Sequence, residues 1–337
     1  MRNTLDGTGG KRVQRLSRML LVVTLLLMTA LAACSPGSSA RVSPASAAGP
    51  PASSLPTDQI AFVRDNHIWL VRPDGTRLVQ LTKGQPEDGG DYSPAWSPDR
   101  RLVAFTHHSD ANGDESSRLG VVPAAGGQGR TWGFDGEIVC GFAPDSRRLA
   151  IVEAVSSPIG PHPVEAIRVW VFDLRTQKRS LVYQPPDLNW YLDDVSWSPD
   201  GKALLLGGTR QDSVGRRYGV LTLATSRLAW LSARWLDEAR WSPDGKQLVV
   251  SSSTDTATTI ALAGIDGTTR CVLVRGGDGD VQPSVYGPSF SPDGSWVSYC
   301  TYEDTDPPVH QIWAVRVDGT GNRRVTTNGD GAVWSAR

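Results

Sequence analysis

The sequence predicts an all-β fold: a six-bladed β-propeller of four-stranded antiparallel blades, its ring closed by the C-terminal strand joining the N-terminal blade. Three observations carry this expectation. First, an aromatic followed by turn chemistry recurs as Trp96-Ser97-Pro98-Asp99, Phe142-Ala143-Pro144-Asp145, Trp197-Ser198-Pro199-Asp200-Gly201, Trp241-Ser242-Pro243-Asp244-Gly245 and Phe290-Ser291-Pro292-Asp293-Gly294, and ends as a truncated Trp334-Ser335. Second, the steps between those aromatics are 46, 55, 44, 49 and 44 residues, the length of a propeller blade. Third, short apolar runs bounded by turn residues fill each repeat, with no amphipathic helix of ordinary length after the N-terminal segment.

Taken from the N-terminus, the first element is an address. Lys11, Arg12, Arg15 and Arg18 precede a low-polarity run from Met19 to Leu31, 13 residues long. That is short for a membrane-spanning helix and suits a secretory signal peptide over residues 1–33. The run ends Leu31-Ala32-Ala33-Cys34, which resembles a bacterial lipobox; the resemblance implies lipid attachment at Cys34 and a lipoprotein held on the outer side of a bacterial membrane. Residues 34–57 are then the lipidated cysteine and a Ser/Pro/Ala-rich stretch with one charge, expected to be a disordered tether reaching roughly 25–30 Å.

Residues 58–337 hold the repeats. In each, the Pro pre-sets φ and the Gly accepts positive φ, so Ser-Pro-Asp-Gly closes a tight turn. A second strand follows at Leu102–Phe105, Leu149–Val152, Ala203–Leu206, Leu248–Val250 and Val297–Tyr299. After a variable loop a third strand comes at Leu119–Val122, Ile167–Phe172, Tyr218–Leu223, Thr259–Leu262 and Gln311–Val315. Residues 59–82 supply three strands without a first, and Ala332–Ser335 supplies a first strand without the rest. Pairing the two ends completes the sixth blade and removes two open sheet edges.

These Ser-Pro-Asp-Gly repeats resemble the TolB-type β-propeller repeat across all of 58–337. The resemblance implies the propeller and leaves the molecular function open. TolB-type proteins carry an additional N-terminal α/β domain, and this sequence places a tether there instead. The same repeats occur in propellers of prolyl-oligopeptidase-like peptidases, whose α/β-hydrolase domain is not expected here.

The composition excludes several classes. Of 337 residues 20% are charged and 39% hydrophobic, with a net charge of −1, which excludes a disordered chain, a collagen and a strongly basic nucleic-acid binder. Without residues 1–33 the chain holds 29 basic and 34 acidic residues, net −5. No nucleophile elbow, zinc motif, Cys pair or phosphate loop is present, so no catalytic residue, metal or cofactor is expected. Asp110-Ala111-Asn112-Gly113-Asp114 spaces oxygen ligands as a calcium loop does, but its glycine is misplaced and Val121 stands where a bidentate Glu belongs. Cys140, Cys271 and Cys300 sit in strand-like runs as small apolar residues, with a Cys271–Cys300 disulfide as the alternative.

The binding candidates come from loop sidedness. Blade-joining loops open at the channel mouth, and an acid precedes the repeated aromatic by four or five residues at Asp91, Glu137, Asp193, Asp237 and Asp330. The fifth inter-blade loop has Val285-Tyr286 instead. Trp190, Tyr191, Trp235, Tyr92 and Tyr286 lie in the same loops. An acidic ring with aromatic anchors would capture basic groups of a protein, peptide or envelope polymer. The expected role is a monomeric, non-enzymatic binding platform. The alternative is a propeller lyase or hydrolase, whose mark would be a His, a Tyr and a carboxylate converging at the mouth.

Overall fold

The computed structural model describes residues 40–41, 58–83, 89–109, 116–134, 136–156, 164–186, 189–210, 215–233, 235–277 and 283–335. The signal segment and Cys34 lie outside the described residues, as do most of 34–57 and the Asp110–Asp114 loop. Within the expected tether, strand β1 (Ala40–Arg41) runs parallel to the outer strand of blade 5, Ala40 opposite Val274.

Blade 1 takes β2 (Ile60–Arg64), β3 (His67–Val71) and β4 (Val79–Gln80), with β25 (Asp330–Trp334) as its first strand. Blade 2 is β5 (Gly90–Trp96), β6 (Leu102–Ser109), β7 (Ser116–Pro123) and β8 (Arg130–Gly133). Blade 3 is β9 (Glu137–Phe142), β10 (Arg148–Ser156), β11 (Val164–Asp173) and β12 (Lys178–Tyr183). Blade 4 is β13 (Trp190–Trp197), β14 (Ala203–Arg210), β15 (Arg216–Thr222) and β16 (Arg227–Trp230). Blade 5 is β17 (Glu238–Trp241), β18 (Leu248–Thr254), β19 (Ala257–Ala263) and β20 (Thr269–Gly276); blade 6 is β21 (Ser284–Phe290), β22 (Trp296–Glu303), β23 (Val309–Arg316) and β24 (Arg323–Thr327). Every blade pairs in simple antiparallel order, and the first strands of neighbouring blades touch one another, so they line the ring's inner edge.

The ring closes as the repeat pattern requires. Ile60 faces Trp334 and Ala61 faces Val333. The Ser335 N–H donates to the Gln59 carbonyl at 2.7 Å, and the Gln59 N–H donates back to Ser335 Oγ at 3.2 Å. The truncated sixth copy of the motif therefore uses its serine as a clasp.

In the four complete copies that carry it, the same serine organises the turn; the blade 3 copy has Ala143 there. Ser291 Oγ donates to Asp293 Oδ1 at 2.6 Å and accepts from the Trp296 N–H at 2.9 Å, joining the two ends of the turn. Ser97, Ser198 and Ser242 repeat the arrangement. Gly294 holds φ +71° in that turn, a conformation that a side chain disfavours. Ser291→Ala leaves a buried N–H unmatched and is expected to cost about 1–3 kcal/mol, read from a denaturant titration.

The repeated aromatics pack between blades. Trp197 sits with Ala143, Val152 and Leu206, and Trp334 with Ile60 and Trp296. Trp96, Phe142, Phe290 and Trp334 are all buried. Cys140 and Cys300 are buried too; they and the half-buried Cys271 are free thiols. Burial pushes the Cys140 thiol up to about 12, which keeps it protonated and inert at neutral pH.

Candidate functional site

The predicted acids lie in or beside the N-terminal halves of the first strands, Asp193 inside β13 and Asp237 just before β17, and most are engaged. Asp91 is buried, and its Oδ1 lies 2.8 Å from His107 Nδ1. Glu137 is exposed and accepts from the Tyr191 hydroxyl at 2.6 Å. Asp193 takes Arg216 at 2.6 Å. Asp237 holds the mouth through its backbone, its N–H on the Ser251 carbonyl. Asp330 caps its own strand by accepting from the Gly331 N–H.

The aromatics divide in the same way. Trp190 is buried, stacked on Trp230 with ring centroids 3.9 Å apart, so it serves blade 4's packing and not an exposed anchor. Tyr191 is half-buried against Glu137. Trp235 is 52% exposed. Buried Leu231 and Leu236 pin its loop on either side, and φ of +66° turns the indole out of the chain's normal path. The ring lies over Gly215, where a Cβ would come within 2.4 Å of it, so the glycine is needed for that seat.

Inside the acidic arc lies a network that the loop reading missed. Tyr218 donates to Asp194 Oδ2 at 2.6 Å, and Arg240 reaches the same oxygen at 2.5 Å from the next blade. Burial alone would raise the Asp194 carboxyl, but Arg240 and Arg216 outweigh it and hold the group below its ordinary value. Burial lifts Tyr218 well above the ordinary tyrosine range, and Asp194 adds to the lift. Arg240 keeps 33% of its side-chain surface open. A signal for it existed in the sequence. At the position just before the repeated aromatic the other copies carry Ala95, Gly141, Ser196, Ser289 and Val333, and only this copy carries a charge.

Glu238 occupies the position equivalent to Asp194, one blade on. Its Oε2 accepts from the Gly287 N–H and from Ser251 Oγ. Burial dominates and raises its carboxyl, with Arg240 opposing. The proton count then has a definite sign. A carboxyl raised in the fold makes the protein bind protons more tightly than the unfolded chain, so stability falls as pH rises through that interval. Glu238→Gln keeps an acceptor and removes the charge. Its Tm should exceed the wild type's at pH 7, with the gap closing as pH falls toward 4, in paired thermal melts.

On the opposite arc, His310 joins the site. The Tyr286 hydroxyl lies 2.8 Å from His310 Nδ1 and also meets the Asp330 carboxylate. Burial, then Cys300 and Asp330, raise the Tyr286 hydroxyl, so it stays a proton donor at neutral pH. A His, a Tyr and a carboxylate thus converge where blade 6 meets blade 1. Spacing could not show this, because the three residues come from β23, β21 and β25.

Charge reversal at Asp91 and Asp193 would take away the carboxylates that His107 and Arg216 hold and set a cation beside Arg216. Glu137 and Trp235 are the positions open to test.

No family profile matches the chain. A stretch of 111 residues, 31% of the chain, is 35% identical to the Tol-Pal system protein TolB of Nitratidesulfovibrio vulgaris. A stretch of 108 residues is 34% identical to a tricorn protease homologue of Streptomyces coelicolor. The matches span 22% and 9% of those proteins. Among solved structures, TolB from Acinetobacter baumannii superposes with a TM-score of 0.64 at 16% identity, covering 98% of this chain and 74% of that one. The chain therefore carries a TolB-like, six-bladed β-propeller.

Proposed function

We propose that the protein is an extracytoplasmic lipoprotein, anchored through Cys34, whose propeller mouth binds a protein partner. The observation that carries the binding half is Trp235, a large indole held out of the mouth-face loop over Gly215 by a positive φ and two buried leucines. An exposed tryptophan on a rigid scaffold is the residue type that dominates protein interfaces. Exposed Glu137 beside Tyr191 adds a polar rim. The TolB-like fold supports a protein partner, and the lipobox-like Leu31-Ala32-Ala33-Cys34 supports the anchor.

Crosslinking and pull-down from intact membranes tests both halves. Trp235→Ala should reduce partner recovery about thirtyfold, the effect of losing a hot spot of roughly 2 kcal/mol, with Tm unchanged. Undiminished recovery would remove the mouth face from the proposal. Cys34→Ser should move the protein to the soluble fraction, and retention in the membrane would remove the anchor.

A second reading rests on the Tyr286–His310–Asp330 convergence: a general acid and base pair at the mouth of a propeller hydrolase or lyase. The tricorn protease homologue among the sequence relatives supports it. Hydrolysis of peptide or polysaccharide libraries that vanishes in His310→Ala, with Trp235→Ala unaffected, would favour this reading over the first.

A further inference from the structure

A cleft of about 660 Å³ opens between blades 1 and 2, within the size range of small-ligand sites. Its origin lies in strand length. The fourth strand of blade 1 has two residues, while the other fourth strands have four to eight, so the wall that faces blade 2 ends early. Leu81 and Phe105 give the cleft an apolar floor.

The charge around that floor is unbalanced. Asp91 is the one carboxylate among the described lining residues, and His107 already occupies it at 2.8 Å. Arg118 and Lys83 stand exposed on the rim, neither with an ion-pair partner among the described residues. His67 and His107 also line the cleft, so their rings report on any occupant. An apolar floor with a guanidinium and an ammonium that have no ion-pair partner among the described residues describes a receptor for an anion with an organic body.

We propose that this cleft binds a small carboxylate-bearing ligand. Arg118 takes the carboxylate through its planar fork, Lys83 adds charge without geometry, and the ligand body lies on Leu81 and Phe105. The site is separate from Trp235 and does not depend on what the mouth binds.

The carboxylate could belong to a peptide or to a sugar acid, and the experiment separates them. N-acetyl-L-glutamate and D-glucuronate are titrated separately into the full chain and into Arg118→Gln, with the histidine ring signals followed by NMR at constant ionic strength. The expected result is saturable movement of the His67 and His107 signals with at least one probe, and binding at least about tenfold weaker in Arg118→Gln. Exposed Arg118 is not part of the core, so the variant's Tm should match the wild type's. The probe that saturates identifies the source. No saturable movement with either probe overturns the proposal, as does equal binding by Arg118→Gln or an effect reproduced by sodium chloride alone.

Discussion

Deleting residues 330–337 should leave a chain that no longer melts as one cooperative unit. β25 is the only first strand that blade 1 has, and it arrives from the far end of the chain. Without it β2 becomes an open edge at the ring's inner side, where Ile60, Ala61 and Phe62 are fully buried. Trp334 is 3% exposed and packs with Ile60 and Trp296. Trp334→Ala alone is expected to cost about 3–5 kcal/mol, a large part of the roughly 5–15 kcal/mol that a domain commands. Calorimetry should show a broadened, low-temperature transition for the deletion and dimer or aggregate formation through the bare edge. A sharp transition within a few degrees of the full chain would show that the ring holds without its clasp.

The second large effect concerns Arg240. Replacing it with Leu leaves the Asp194 carboxylate, 13% exposed, with Tyr218 and the more distant Arg216. Breaking a buried pair on one side costs about 3–5 kcal/mol when water is excluded. Arg240 keeps a third of its side chain open, so the expected loss is nearer ~2 kcal/mol. The double replacement, Asp194→Leu with Arg240→Leu, should be more stable than the single Arg240→Leu protein, because Asp194 is no longer stranded and only Glu238 has lost a counter-charge. The pH dependence follows from the lowered carboxyl. A depressed carboxyl contributes stability above its unfolded value, about 3.9, and loses it as pH falls through the folded value. Arg240 makes the largest contribution to that depression, ahead of Arg216, so the stability gap between wild type and Arg240→Leu should be widest near neutrality and narrow below about pH 4. Equal gaps at pH 7 and pH 3 would mean that Arg240 acts through packing and not charge.

Much of this fold is legible in the sequence. The spacing of Trp96, Phe142, Trp197, Trp241, Phe290 and Trp334 counts the blades, and the orphan strand at Ala332–Ser335 identifies the closure. Both are local signals repeated in tandem. Each Ser-Pro-Asp-Gly turn is closed by its own serine and aspartate within five residues, so the pattern in the chain is the pattern in space.

The site obeys different rules. The acids at Asp91, Glu137 and Asp193 were visible, but their partners His107, Tyr191 and Arg216 lie 16, 54 and 23 residues away. Which acid meets which partner depends on register, and register is broken in these strands: pairing slips between Tyr92 and Ala95, between Leu192 and Asp194, and between Tyr286 and Ser289. A slip of one residue exchanges the two faces of a strand. An alternation rule applied to the sequence therefore fails just where β13 enters the ring, and Asp194, not its neighbour, meets Arg240 across the blade boundary.

The opening expectation of an acidic ring is reshaped by the same cause. The sequence by itself determined the six blades and the closure of the ring by its last strand, because each follows from a motif repeated in tandem. Only the tertiary structure decided that most of those acids are paired, that Trp190 is interior while Trp235 is exposed, and that His310 meets Tyr286 and Asp330. Those outcomes are set where separate blades converge, and a side chain's charge or exposure there depends on neighbours that no short stretch of sequence contains.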